Sequence, residues 1–225
     1  EVSALEHTLK DHKTIPAEKG IFLGVTWRLH PDICSFISEL FYESRLTAKP
    51  ELVNQQVEGN TKFAGAGLWF EAAKHEGNQS SSAEEVKIVS GVVADLLKGD
   101  VYYINNKKEK KLLTADDVKV IAPYNAQVSL LTAALPRSIQ VGTVDKFQGQ
   151  EAPVVIFSMA TSSPEDAPRG MEFLYSLNRL NVAASRAKAV FIMVANKKLF
   201  EPDCKSVSQM KLANAFCRFL EVANQ

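Results

Sequence analysis

The 225-residue chain predicts an α/β fold: a RecA-like (P-loop NTPase type) parallel sheet flanked by helices, with an inserted β-hairpin. Residues 118–122, 154–160 and 189–195 are short, β-branched runs that are apolar at nearly every consecutive position. Such runs suit strands buried on both faces. Segments with helical spacing lie between them, and alternating strands and helices imply crossover units with parallel pairing. A basic, Asn-rich stretch between two apolar runs supplies the hairpin.

The elements follow in order. Residues 1–19 hold helical fragments and no opening strand, so they read as a connecting segment from a preceding domain, with 1–225 forming one domain of a larger protein. Residues 27–32 (WRLHPD) lead into a helix over 33–42. Residues 47–67 are polar and glycine-bearing and read as a long surface connection. A strand is expected at 68–72. A loop at 79–82 then opens a helix over 83–98, with Ser82 and Glu85 spaced as a capping box. Residues 101–114 read VYYI, NNKKEKK, LLT, which predicts the hairpin; the lysines of 107–111 read as a solvated turn. A helix over 125–135, a strand over 139–143, and helices over 177–188 and 208–223 complete the pattern. No internal repeat is evident.

Composition bounds the function without naming it. With 46% hydrophobic and 23% charged residues, the chain is an ordinary globular domain. It has 26 basic and 26 acidic residues, so binding to nucleic acid by bulk charge is excluded and any such contact must be local. No apolar run is long enough for a bilayer and no signal peptide opens the chain, so no membrane partner is expected. Cys34, Cys204 and Cys217 form no CxxC pair and read as reduced thiols of a cytoplasmic protein. His7, His12, His30 and His75 lack metal-ligand spacing, so no metal site is expected.

Four stretches carry chemistry. VGTVDKFQGQE, 141–151, follows a candidate strand, and its Thr143, Gly149 and Glu151 are expected in a loop at the strand's carboxyl end, where open α/β sheets bind ligands. A hydroxyl and free amides there suit phosphate, and a carboxylate can accept from a ribose hydroxyl. The plainer reading is a polar β–α loop with a capping Thr. LNRLNVAASRAK, 177–188, places Arg179 and Arg186 at helical spacing, so two guanidinium groups can share one face; either they bind phosphate or they are surface arginines. WRLHPDI, 27–33, sets Arg28 between an aromatic and a helix start, where packing could lock it toward a cleft. His30 reads as a satisfied structural histidine. In APYNAQV, 122–128, a strand ends and a helix begins. Tyr124, Asn125 and Gln127 could contact a nucleic-acid backbone, or Asn125 could be a simple N-cap.

In this order and spacing, the four motifs resemble the C-terminal motor half of superfamily-one helicases, in the branch of the nonsense-mediated-decay RNA helicase. The likeness spans roughly residues 17–200. Trp27 stands where that branch has Tyr, which is similar to bacterial members that carry a nuclease domain before the motor. The resemblance implies that Arg28 contacts the γ-phosphate of ATP, Glu151 holds the ribose with Gly149 giving room, and Arg186 is the arginine finger. It further implies that Thr143 binds a strand phosphate, assisted by Tyr124, Asn125 or Gln127.

No GxxxxGK[ST] loop occurs in the chain. The phosphate loop and the magnesium ligands are therefore expected in a missing N-terminal RecA-like domain, with ATP and Mg2+ held between the two. Expected partners are that domain, single-stranded DNA or RNA, and a fused nuclease domain. The isolated chain is expected to hydrolyse no ATP. The rival reading is a non-catalytic binding or interaction module that kept the fold and lost the motor.

Overall fold

A computed structural model describes Leu9, His12 and residues 14–224; most of the expected connecting segment lies outside the described residues. The elements run β1 (Val25–Thr26), α1 (Pro31–Phe41), β2 (Thr47–Ala48), β3 (Gln56–Gly59), β4 (Gly67–Ala73), α2 (Ala83–Leu96), β5 (Val101–Ile104) and β6 (Lys110–Leu112). They continue β7 (Val118–Ile121), α3 (Asn125–Ala134), β8 (Gln140–Gly142), β9 (Ala152–Ser158), α4 (Gly170–Leu174), α5 (Leu177–Ala184), β10 (Ala187–Asn196) and α6 (Val207–Val222).

Five strands form the expected parallel sheet in the order β4-β10-β9-β7-β8. Successive side chains of a strand point to opposite faces, and here both faces are cores. Val155 and Phe157 join a core with Ile33, Phe36, Phe191, Phe216 and Phe219, beneath α1, α5 and α6. Val154 and Ile156 join a second core with Val89, Val93, Leu96, Leu131 and Ile192, beneath α2 and α3. The consecutive apolar runs of β9 and β10 thus have a physical cause: each residue meets helices on one side or the other. Truncating Phe157 or Phe191 to Ala would cost about 3–5 kcal/mol.

Three expectations change. The stretch 47–67 is not a bare surface connection. It contributes β3, which pairs antiparallel with β5, so the expected hairpin β5-β6 becomes part of a three-stranded sheet. Val57, Val101 and Tyr103 of that sheet are buried in the second core, which is what draws a polar segment into a strand. The helix expected over 177–188 stops at Ala184, because Ala187 already pairs with Ala152 as β10 begins.

The capping box forms by half. Ser82 Oγ accepts from Glu85 N at 3.1 Å, but the Glu85 carboxylate turns inward. It receives Ser158 Oγ at 2.6 Å and Ala160 N at 2.9 Å, and lies 3.1 Å from His75 Nε2. Ser82 N is taken instead by Gln127 Oε1 at 2.8 Å. A carboxylate that is 0% exposed is tolerated only because these partners saturate it.

Candidate functional site

Parallel strands give the sheet two chemically distinct edges, and the crossover connections decide which residues reach each. In the sheet β7 lies between β8 and β9. The chain leaving the carboxyl end of β8 must therefore recross the sheet before β9 starts. Residues 143–151 are that crossing, carried by a short 3₁₀ turn, Val144–Phe147, and pinned by Phe147, which is buried in the first core. Thr143 stays at the carboxyl edge and Glu151 arrives at the amino edge. The expectation that both sit at the carboxyl end is corrected: seven residues of β9 at about 3.3 Å each put roughly 20 Å between them.

At the amino edge the structure brings Arg28, Glu151 and Arg186 around one cavity of about 430 Å³, together with Thr26, Trp27, Tyr42 and Ser185. Arg28 Nε donates to Glu151 Oε2 at 2.5 Å, and its Nη1 donates to the Ser185 carbonyl at 3.1 Å. Trp27 does not lock it: that ring is 71% exposed, with Lys49 Nζ 3.6 Å from its centroid. The inserted sheet does the holding. Tyr103 Oη donates to Gln55 Oε1 at 2.7 Å, and Gln55 Nε2 donates to the Arg28 carbonyl at 2.7 Å. His30 N in turn donates to the Lys188 carbonyl. His30 is structural, as expected: its Nδ1 caps α1 by accepting from Asp32 N at 3.2 Å.

Arg186 is folded back on its own turn. Its Nε donates to the Val182 carbonyl at 3.0 Å, Nη1 to the Gln150 carbonyl at 3.3 Å, and Nη2 to Ser185 Oγ at 3.0 Å. Burial lowers its pKa, and the neighbouring Arg28 charge adds to the effect. Glu151 also pairs with Lys188 Nζ at 2.6 Å. Burial alone would raise the Glu151 carboxyl, but Lys188 and Arg28 together hold it below the ordinary carboxylate value. Gly149 has φ of 81°, and nothing lies within 4 Å of where a Cβ would stand; the backbone turn, rather than crowding by neighbours, calls for glycine there.

Two residues here escaped the sequence reading. Lys188 closes the motif that was read for its arginines. Lys119 interrupts the otherwise apolar β7, and a lone lysine in a strand buried on both faces was the available signal. It is 5% exposed, and its Nζ reaches Gln140 Oε1 at 2.6 Å and Gln150 Oε1 at 3.0 Å. Lys119 thus tethers the loop that carries Glu151, and burial lowers its pKa.

At the carboxyl edge Tyr124, Asn125 and Thr143 line a second cavity of about 210 Å³, with Asp145, Arg169, Phe173 and Arg179. Arg179 and Arg186 therefore do not share a face. Arg179 begins α5 at one edge, and Arg186 follows its end at the other. Tyr124 is only 6% exposed and contributes chiefly its ring, 5.2 Å from that of Phe173. Gln127 is excluded from the edge. It is 0% exposed and spent on Ser82 and on Ser158 Oγ at 2.8 Å, because the helix turns it toward the buried Glu85 cluster. Arg169 and Phe173 were missed; they lie in a connection without a motif.

Among the described residues no three His, Cys, Asp or Glu side chains gather as a metal site, and no helix is long and apolar enough to cross a membrane.

A family model described as "AAA domain" matches residues 1–198. Helicase sen1 of Schizosaccharomyces pombe is 32% identical over 195 residues, covering 80% of this chain and 11% of sen1. The DNA polymerase alpha-associated DNA helicase A of the same organism is 31% identical, over 74% of this chain and 26% of that protein. The DNA replication ATP-dependent helicase/nuclease JHS1 of Arabidopsis thaliana is 30% identical, over 57% of this chain and 9% of that protein. The chain thus spans about a quarter or less of these relatives. It belongs to the AAA domain family, within the superfamily-one helicases that include nuclease-helicase relatives.

Proposed function

We propose that this chain is the C-terminal motor domain of an ATP-dependent superfamily-one helicase and supplies half of an ATP site shared with an N-terminal RecA-like domain. The observation that carries the reading is the meeting of Arg28, Glu151 and Arg186, from three distant stretches of sequence, around one cavity. Two guanidinium groups and one carboxylate fit a nucleoside triphosphate: forks for phosphate oxygens, and an acceptor for ribose hydroxyls. When bound with Mg2+, ATP supplies a γ-phosphoryl group for transfer to water. Mg2+ ligands and the phosphate loop belong to the N-terminal domain.

The role of this chain is positioning and charge. Glu151 exchanges the Arg28 and Lys188 contacts for the ribose, and Arg28 turns its fork toward the γ-phosphate. Arg186 leaves its intramolecular acceptors to act as the arginine finger, a contribution of about a thousandfold or more in rate. Because both arginines meet phosphate only when the domains close, the triphosphate favours the closed cleft and hydrolysis releases it. Thr143 and Asn125, with Tyr124 as a wall, hold a phosphate of single-stranded DNA or RNA at the other edge. Alternate gripping by the two domains then converts closure into translocation.

The test is steady-state ATP hydrolysis by the intact helicase. Arg186→Ala is expected to abolish turnover while nucleotide binding largely survives, and Arg28→Ala to weaken both. Wild-type rates in Arg186→Ala would remove the arginine-finger assignment, and magnesium-dependent turnover by the 225-residue chain alone would overturn the shared site.

A further inference from the structure

The cavity at the carboxyl edge carries more cationic surface than Thr143 and Asn125 account for. The guanidinium carbons of Arg169 and Arg179 each lie 4.0 Å from the centroid of the Phe173 ring. Elsewhere Arg28, Arg45 and Arg218 each pair with a carboxylate; among the described residues neither Arg169 nor Arg179 does. Two like charges held against one ring repel each other, and the ring's negative faces offset only part of that. An anion bound between them would offset the rest.

Neighbouring contacts brace the pair. Arg179 Nη1 donates to the Phe173 carbonyl at 3.2 Å, which ties α5 to α4. The Phe173 ring is backed by that of Tyr124. Thr143 and Asn125 line the same cavity. One carboxylate, the exposed Asp145, stands on the lining, so the rim keeps a net positive charge.

We propose that Arg169, Phe173 and Arg179 form a clamp for one phosphodiester group of a single strand, beside Thr143. The inference rests on the reading of the carboxyl edge as the strand site. Guanidinium forks suit two phosphate oxygens at once, whereas the ring is already covered by cations and leaves little face for a base. The clamp therefore grips backbone without reading sequence.

The test is equilibrium binding of the 225-residue chain to fluorescent oligo(dT) and oligo(U) across a range of KCl, beginning at low salt. The double variant R169Q/R179Q should bind both oligonucleotides about tenfold more weakly, and the slope of log K against log salt should shrink by about 0.7 for the lost phosphate. R179K should recover part of the affinity, since it keeps the charge and loses the fork. If Thr143→Val weakens binding while the double variant keeps wild-type affinity and slope, the clamp is wrong and the strand site stands. If the wild-type chain binds neither oligonucleotide, or neither set of changes alters binding, the strand site falls and the clamp with it. Melting curves accompany each variant; should the double variant not fold, R169Q and R179Q singly carry the slope measurement, since each removes one charge.

Discussion

The two edges of the sheet solve opposite electrostatic problems. At the amino edge every named charge already has an intramolecular partner: Arg28 and Lys188 share Glu151, and Arg186 is hydrogen-bonded to its own turn. At the carboxyl edge two guanidinium groups face a cavity without an ion-pair partner among the described residues. The first arrangement binds only by exchanging contacts, which suits a site completed by another domain. The second is ready for an anion at any time. Under the proposed function, one edge would act as a switch and the other as a grip.

The largest expected effect separates them. In the intact helicase Arg186→Ala should cost about a thousandfold or more in turnover, yet leave the affinity of the nucleotide-free protein for a single strand within about twofold, since roughly 20 Å of sheet lies between the edges. ATPase rates and oligonucleotide binding on the same preparation check both halves. A parallel loss of strand affinity without nucleotide would break the division.

Gln127 marks the limit of the carboxyl edge. Gln127→Leu should leave oligonucleotide affinity unchanged and destabilise the fold by about 2–3 kcal/mol, because Ser82 and Ser158 lose buried partners. Urea unfolding with binding measured in parallel distinguishes this from a strand contact, which would lower affinity and spare stability.

How far the sequence reached follows the same physics. Apolar runs on consecutive positions identified the sheet, because burial on both faces leaves a local signature. Arg28, Glu151 and Arg186, which meet at the amino edge, were named through motif likeness, whereas Lys119 and Lys188 were not. Which edge each residue occupies was not legible. Residues 143–151 read as one loop, but sheet order makes that loop a crossing, and strand order is a long-range property. The same cause hid the separation of Arg179 from Arg186: helical periodicity was extended four residues past Ala184, where pairing of Ala187 with β9 takes over. Gln127 looked like an edge donor because nothing local announces a carboxylate buried at position 85. Strand β3 was missed because its burial depends on partners in β5, some 45 residues further on.

Lys119 tests whether the amino edge is held from within the sheet. Lys119→Met keeps the volume and removes the bonds to Gln140 and Gln150. The Glu151 loop should then lose its tether, raising the KM for ATP about tenfold, worth about 1.4 kcal/mol, while fold stability changes by less than about 1.5 kcal/mol. A kcat fall at unchanged KM would place Lys119 in the transition state instead.

The smallest effect is a pH dependence, also at the amino edge. Burial holds the His30 pKa below its ordinary value of 6.5, against the opposing influence of Asp32, and its Nδ1 must be unprotonated to accept from Asp32 N. The folded chain therefore binds fewer protons than the unfolded one. The contribution is fully present above pH 6.5 and is lost as pH falls below it toward the lowered folded value, with a slope no steeper than about 1.4 kcal/mol per pH unit. His30→Asn keeps an N-cap acceptor and removes the titration, so its stability curve should be flatter between pH 7 and pH 5 than that of the wild type. Parallel curves would mean that His30 is not what makes the start of α1, and the backbone beside Arg28, acid-sensitive.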